Sequence, residues 1–162
     1  MGSYVSTSKF LELPFIKKRK SLTSSELILE KMNDKEIIET VANSNINHIQ
    51  TTETPRKEEL YIINEILKIN PNIAFRHYFG FGVEYADISY LLKLNHLKHL
   101  YLDLYCKIQN IDVIQKLDLE SLTLSCFNVK EYSFLRNVSS KIKYLTLELQ
   151  YFFISSGFLS KK

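Results

Sequence analysis

Four histidines and two cysteines are the residues of this chain best suited to metal ligation or nucleophilic attack. His96 and His99 form an HxxH pair, which could supply two metal ligands. A zinc-type site needs three or four donors of defined type, however, and no second His or Cys pair answers this one. The two therefore read as polar positions between leucines. Cys126 alternates with Leu122 and Leu124 and reads as a small core residue; Cys106 follows a strand end, where more exposure is expected, with no base marked beside it. Gly80, Phe81 and Gly82 lack the strand, glycine spacing and lysine that phosphate cradling requires. Serines and acids are common enough that a Ser-His-Asp trio can be drawn at will, so none is informative. The expectation is no enzyme, no metal and no cofactor, which leaves recognition as the chemistry to look for.

Recognition requires elements that hold side chains in rows. In LNHLKHLYLDL, residues 94 to 104, leucines recur every third and then every second position. A helical or 3₁₀ segment returns a side chain to the same face after three to four residues and a strand after two, so this run leaves a helical turn for a strand. The same change recurs. Leu100, Leu102 and Leu104 are followed by Leu122, Leu124 and Cys126, then by Leu145, Leu147 and Leu149, 22 and 23 residues further on. Leu97, Leu119 and Ile142 precede them, completing LxxLxL each time. Fainter copies lie upstream, with Ile73, Phe75 and His77 in one and Ile46, Ile49 and Thr51 in the other. Between the strands, Ile88/Leu91/Leu94/Leu97, Ile108/Ile111/Ile114/Leu117 and Val129/Tyr132/Leu135/Val138 keep a spacing of three, which predicts short helices or 3₁₀ turns.

Ala86 to Leu104, ADISYLLKLNHLKHLYLDL, resembles the D-I-x-x-L-x-x-L-x-x-L-x-x-L-x-L unit of bacterial leucine-rich repeats of the internalin-like type, with repeats of about 22 residues. The resemblance implies an α/β leucine-rich-repeat solenoid, with a short parallel β-sheet on the concave side and short helices or 3₁₀ turns on the convex side. It covers residues 97–150 clearly, with 46–72 and 73–96 as degenerate repeats. One departure stands out: the family places Asn or Cys three residues after the last leucine of LxxLxL, and this chain has Tyr105, Phe127 and Gln150. Its turns must satisfy their backbone groups in another way.

Residues 1–45 differ and read as an N-terminal cap. Thr23 with Glu26 and Asn33 with Glu36 are two capping-box signatures, which predict helices over about 24–32 and 34–42, with Phe10 to Phe15 tucked against them. Leu60, Ile63, Ile66 and Leu67 form another helix face ending before Pro71. Residues 151–162 are apolar and read as a tail or makeshift cap, or as an edge that pairs with a second copy.

If Leu100, Leu102 and Leu104 point inward, their neighbours point outward. Three rows result: Tyr101-Thr123-Thr146, Asp103-Ser125-Glu148 and Tyr105-Phe127-Gln150, with Arg76 and Tyr78 in equivalent places upstream. Aromatics flanked by acids form an anchor patch for a protein or peptide partner, and Asp103 and Glu148 suit a basic one. The net charge of +3 is too small for a nucleic-acid binder, and acids on the binding face would repel phosphate. The KKRK run, Lys17 to Lys20, reads as a solvated turn. No apolar stretch approaches a membrane span, and the chain is expected in a bacterial cytoplasm with both cysteines reduced. The function expected is a non-enzymatic protein–protein interaction module. The alternative is a structural or self-assembly module, or a fragment of a longer array, associating through the apolar C-terminal edge; a toxin-immunity or inhibitor protein is a remote third.

Overall fold

A computed structural model describes residues 10–13, 33–43, 45–79, 83–126, 132–138 and 140–148. Its strands, in chain order, are β1 (Phe10–Leu13), β2 (His48–Thr51), β3 (Ala74–Phe79), β4 (Tyr85–Asp87), β5 (His99–Leu104), β6 (Lys107–Gln109), β7 (Ser121–Cys126) and β8 (Tyr144–Glu148). Six of them form one parallel sheet in the order β1-β2-β3-β5-β7-β8, and β4 pairs with β6 in a small second sheet. The fold is mixed α/β, and each strand of the main sheet is laid beside the one before it.

Parallel neighbours need a crossover, and these crossovers tighten along the chain. Helix α1 (Asp34–Ala42) precedes β2, and α2 (Lys57–Ile69) joins β2 to β3. Later connections use 3₁₀ segments, Ser89–Lys93, Ile111–Lys116 and Ser133–Asn137. The capping box expected at α1 is present: Asn33 Oδ1 accepts from Glu36 N at 3.1 Å, and Asn33 N donates to Glu36 Oε2 at 2.9 Å. At α2, Glu59 reaches back to Arg56 N at 2.8 Å, satisfying one of the donors a helix start leaves free. The three-residue spacing of leucines and isoleucines thus becomes 3₁₀ helix, in which such a spacing returns to one face. The expected helix over 24–32 lies outside the described residues.

One continuous apolar core joins all of this. Ile37, Val41, Ile63 and Leu67 of the helices pack in the same cluster as Ile49, Phe75, Leu100, Leu102, Leu122 and Leu124 of the sheet and Leu91, Ile114 and Phe134 of the 3₁₀ segments. An amphipathic helix or sheet is stable only when such a face is covered, and here each element covers the next.

Several expectations need correction. Phe10–Leu13 is a strand, the first of the sheet, in register with His48–Thr51. Ile49 pairs with Phe75, and Phe75 with Leu100, so the upstream repeat is aligned through Phe75 and not through Ile73, which is buried just before the strand. Cys106 is buried and reduced, and burial pushes its thiol up from the ordinary range. Leu145 and Leu147 occupy core positions by register with Leu122 and Leu124, yet they are 46% and 40% exposed, because β8 is the last strand of the sheet.

The β4–β6 ladder was not foreseen, and it satisfies backbone groups in the turn that follows Tyr105. Lys107 N donates to Glu84 O at 3.2 Å and Ile88 N to Gln109 O at 3.4 Å, so backbone pairs with backbone between successive turns. Asp87 completes the join by accepting from Ser89 N at 2.8 Å and Asn110 Nδ2 at 2.9 Å. Asn110 sits in the left-handed region at φ 60°, a conformation that asparagine tolerates.

Candidate functional site

Parallel pairing puts the outward residues of the sheet into rows, two of which hold most of the expected site. The first runs Gln50, Arg76, Tyr101, Thr123, Thr146, and the second Tyr78, Asp103, Ser125, Glu148. The pairs expected between β5, β7 and β8 are therefore in register. Tyr105 follows β5, its backbone N–H donating to Phe79 O at 3.3 Å. Phe127 and Gln150, which complete the third expected row, lie outside the described residues, as does the KKRK run.

The centre of this face is an ion pair on a diagonal. Arg76 donates from Nε and Nη2 to the same Asp103 oxygen, Oδ2, one strand across and two residues along. Asp103 is the buried partner, with its side chain 7% exposed, and the Arg76 side chain is the more open one at 35%. Burial raises the Asp103 carboxyl above its ordinary range, an effect the Arg76 charge opposes and Glu148 reinforces. Aromatic rings frame the pair. The Arg76 guanidinium lies 5.8 Å from the centre of the Tyr78 ring, Tyr78 meets Tyr105 edge-on at 5.7 Å, and on the other side His48 meets Tyr101 edge-on at 5.5 Å. Burial, with the nearby Arg76 charge, lowers the His48 pKa below its ordinary value.

The outward face is thus less exposed at its centre than alternation implies. Asp103, Thr123 and Ser125 were expected to be open to solvent and are buried. Small hydroxyl side chains on central strands lie below the level of the tyrosines beside them. The open part consists of Arg76, Tyr78, Tyr101 and Tyr105, half-buried, and Thr146 and Glu148, exposed at the sheet edge. Sequence reasoning missed His48 and Gln50, which β2 brings to the same face. Its short, weakly alternating strand offers little signal beyond the buried Ile49 and Thr51 that flank them.

Groups that suggested chemistry elsewhere are otherwise engaged. His99 Nδ1 lies 2.9 Å from Ser121 Oγ, and the His96 backbone N–H donates to Asn64 Oδ1 at 3.2 Å, tying the turn before β5 to α2. His77, at an inward position, is fully buried and hydrogen-bonds through Nδ1 to the Tyr90 hydroxyl, while its Nε2 has no hydrogen-bond partner. Desolvation lowers its pKa to about 3. Lys98 and Lys141 both reach Asp118, and Lys143 reaches Glu120 at 2.7 Å, along the start of the strands. Among the described residues no group of three His, Cys, Asp or Glu could hold a metal, and no helix is long and apolar enough to cross a membrane.

No protein-family profile, curated protein or solved structure matches this chain.

Proposed function

We propose that the chain is a leucine-rich-repeat protein that binds a protein or peptide partner through the outward, concave face of its parallel sheet, without enzymatic activity. The observation carrying this reading is the in-register frame of Tyr78, Tyr101 and Tyr105 around the Arg76–Asp103 pair. Aromatic and arginine side chains held rigid before binding lose little conformational entropy on contact and are the residue types that dominate binding energy. Sequential parallel strands joined by 3₁₀ crossovers, with LxxLxL in register, support the repeat reading, and after β5 the β4–β6 ladder stands where the family has an asparagine. The partner meets a preformed surface in a bacterial cytoplasm.

Tyr78→Ala combined with Tyr105→Ala tests this. Capture of the cellular partner on immobilised protein is expected to fall at least about tenfold, which corresponds to 1.4 kcal/mol, while the melting temperature stays within about 5 °C. Undiminished capture by the folded variant removes the face from consideration. Self-association through the C-terminal edge is the second reading, favoured by the exposure of Leu145 and Leu147 on the last strand.

A further inference from the structure

The polarity of the binding face follows from which member of its ion pair is buried. Asp103 was expected to offer a negative charge to the partner, but Asp103 is buried beneath Arg76, whose side chain is the member of the pair that solvent reaches. Nε and Nη2 are taken up by Asp103, and Nη1 makes no hydrogen bond among the described residues. Arginine carries five N–H donors in a planar fork, so a second oxygen acceptor can dock on the edge facing away from Asp103. The Tyr78 ring lies against the cation, Tyr105 packs on Tyr78 and Tyr101 is the cross-strand neighbour of Arg76, and a charged hydrogen bond is stronger beside such low-dielectric surface. Among the residues whose side chains are described, Glu148 is an exposed acid on this face and lies three strands from β3. Strand spacing puts that at about 14 Å, beyond the screening length of about 8 Å at physiological ionic strength.

We propose that Arg76, seated on Asp103 and framed by Tyr78, Tyr101 and Tyr105, receives a carboxylate from an acidic segment of the partner. This rests on the sheet face being the binding surface and specifies what that surface selects. His48 gains from the same event: the Arg76 charge that depresses it is neutralised when a carboxylate docks, so its ring nitrogens report occupancy.

The test uses the full chain with two probes, an oligoglutamate and an oligolysine peptide of equal length, titrated at physiological salt and followed by NMR at the Arg76 Nε–H and the His48 ring. Oligoglutamate is expected to bind saturably and shift both signals, and oligolysine to leave them unmoved. Arg76→Gln should weaken oligoglutamate binding by at least about tenfold. Because that substitution strands a buried carboxylate, Arg76→Gln with Asp103→Asn is the second variant; it keeps the net charge unchanged, so its loss of binding reports the site and not the overall field. Equal binding of oligolysine, or retention of oligoglutamate by the double variant, overturns the proposal. A cellular partner that is still captured by the double variant, yet lost by Tyr78→Ala/Tyr105→Ala, overturns the acidic preference and leaves the face in place; capture by both variants removes both.

Discussion

His77 shows what one residue contributes when alternation sends a polar ring into an apolar core. It pairs with the buried hydroxyl of Tyr90, whose own pKa burial raises well above the usual value, and it stacks on Phe79. The folded protein holds this imidazole neutral down to about pH 3, whereas the unfolded chain protonates it near pH 6.5. Between those values the unfolded state binds the extra proton, so stability is present above pH 6.5 and is lost as pH falls, by about 1.4 kcal/mol per pH unit. His48, also depressed, acts in the same direction. Asp103 acts oppositely: its raised carboxyl adds stability below the ordinary range, which is lost as pH rises through the folded value. His77→Phe with Tyr90→Phe removes the His77 share without stranding the hydroxyl, which alone would cost about 1–3 kcal/mol. Urea unfolding at pH 7 and pH 5 should show the wild type losing more stability than this variant by about 2 kcal/mol; equal losses would mean that His77 titrates normally. The inward position of His77 was legible from its place beside Phe75. Its partner was not, because Tyr90 comes from a 3₁₀ segment that only the fold brings across.

Among the elements, equivalent strands of one pattern differ in energy according to what lies beyond them. Leu102, Leu124 and Leu147 share the last leucine position of LxxLxL and lie in one row of the sheet, Leu102 at 0% exposure and Leu147 at 40%. Leu102→Ala removes packed atoms and leaves a cavity, at a cost of about 2–5 kcal/mol, whereas Leu147→Ala should cost about 1 kcal/mol or less. Denaturant unfolding of the two variants measures the contrast, and equal costs would mean that something covers β8 in solution. The strands β5, β7 and β8 and the 3₁₀ segments between them were legible because period two and period three are both written in leucine. The β4–β6 ladder was invisible, since Tyr85–Asp87 and Lys107–Gln109 are three residues each, too short to show an apolar alternation. The first strand was hidden for a related reason: the apolar residues of Phe10–Leu13 fit a capping segment as well as a strand until β2 is present to pair with.

At the scale of the whole molecule, the main sheet has two edges, and among the described residues β8 at one of them shows apolar side chains, Leu145 and Leu147. If β8 is a pairing edge, the protein self-associates with concentration, and Leu145→Lys with Leu147→Lys returns it to monomer, since charged side chains on an edge strand oppose further pairing. Multi-angle light scattering across a concentration series decides; a wild type that stays monomeric sinks the self-assembly reading and leaves partner binding alone. The sequence by itself determined the in-out alternation, the spacing of successive strands and the α1 boundary, because these depend on local period and on a cap only three residues long. Only the tertiary structure decided the rest. That Phe75 and not Ile73 faces Leu100, that Arg76 covers Asp103, and that Leu147 stays open all depend on pairing and burial between residues far apart in sequence. Such contacts set whether a side chain meets water, a counter-charge or another methyl group.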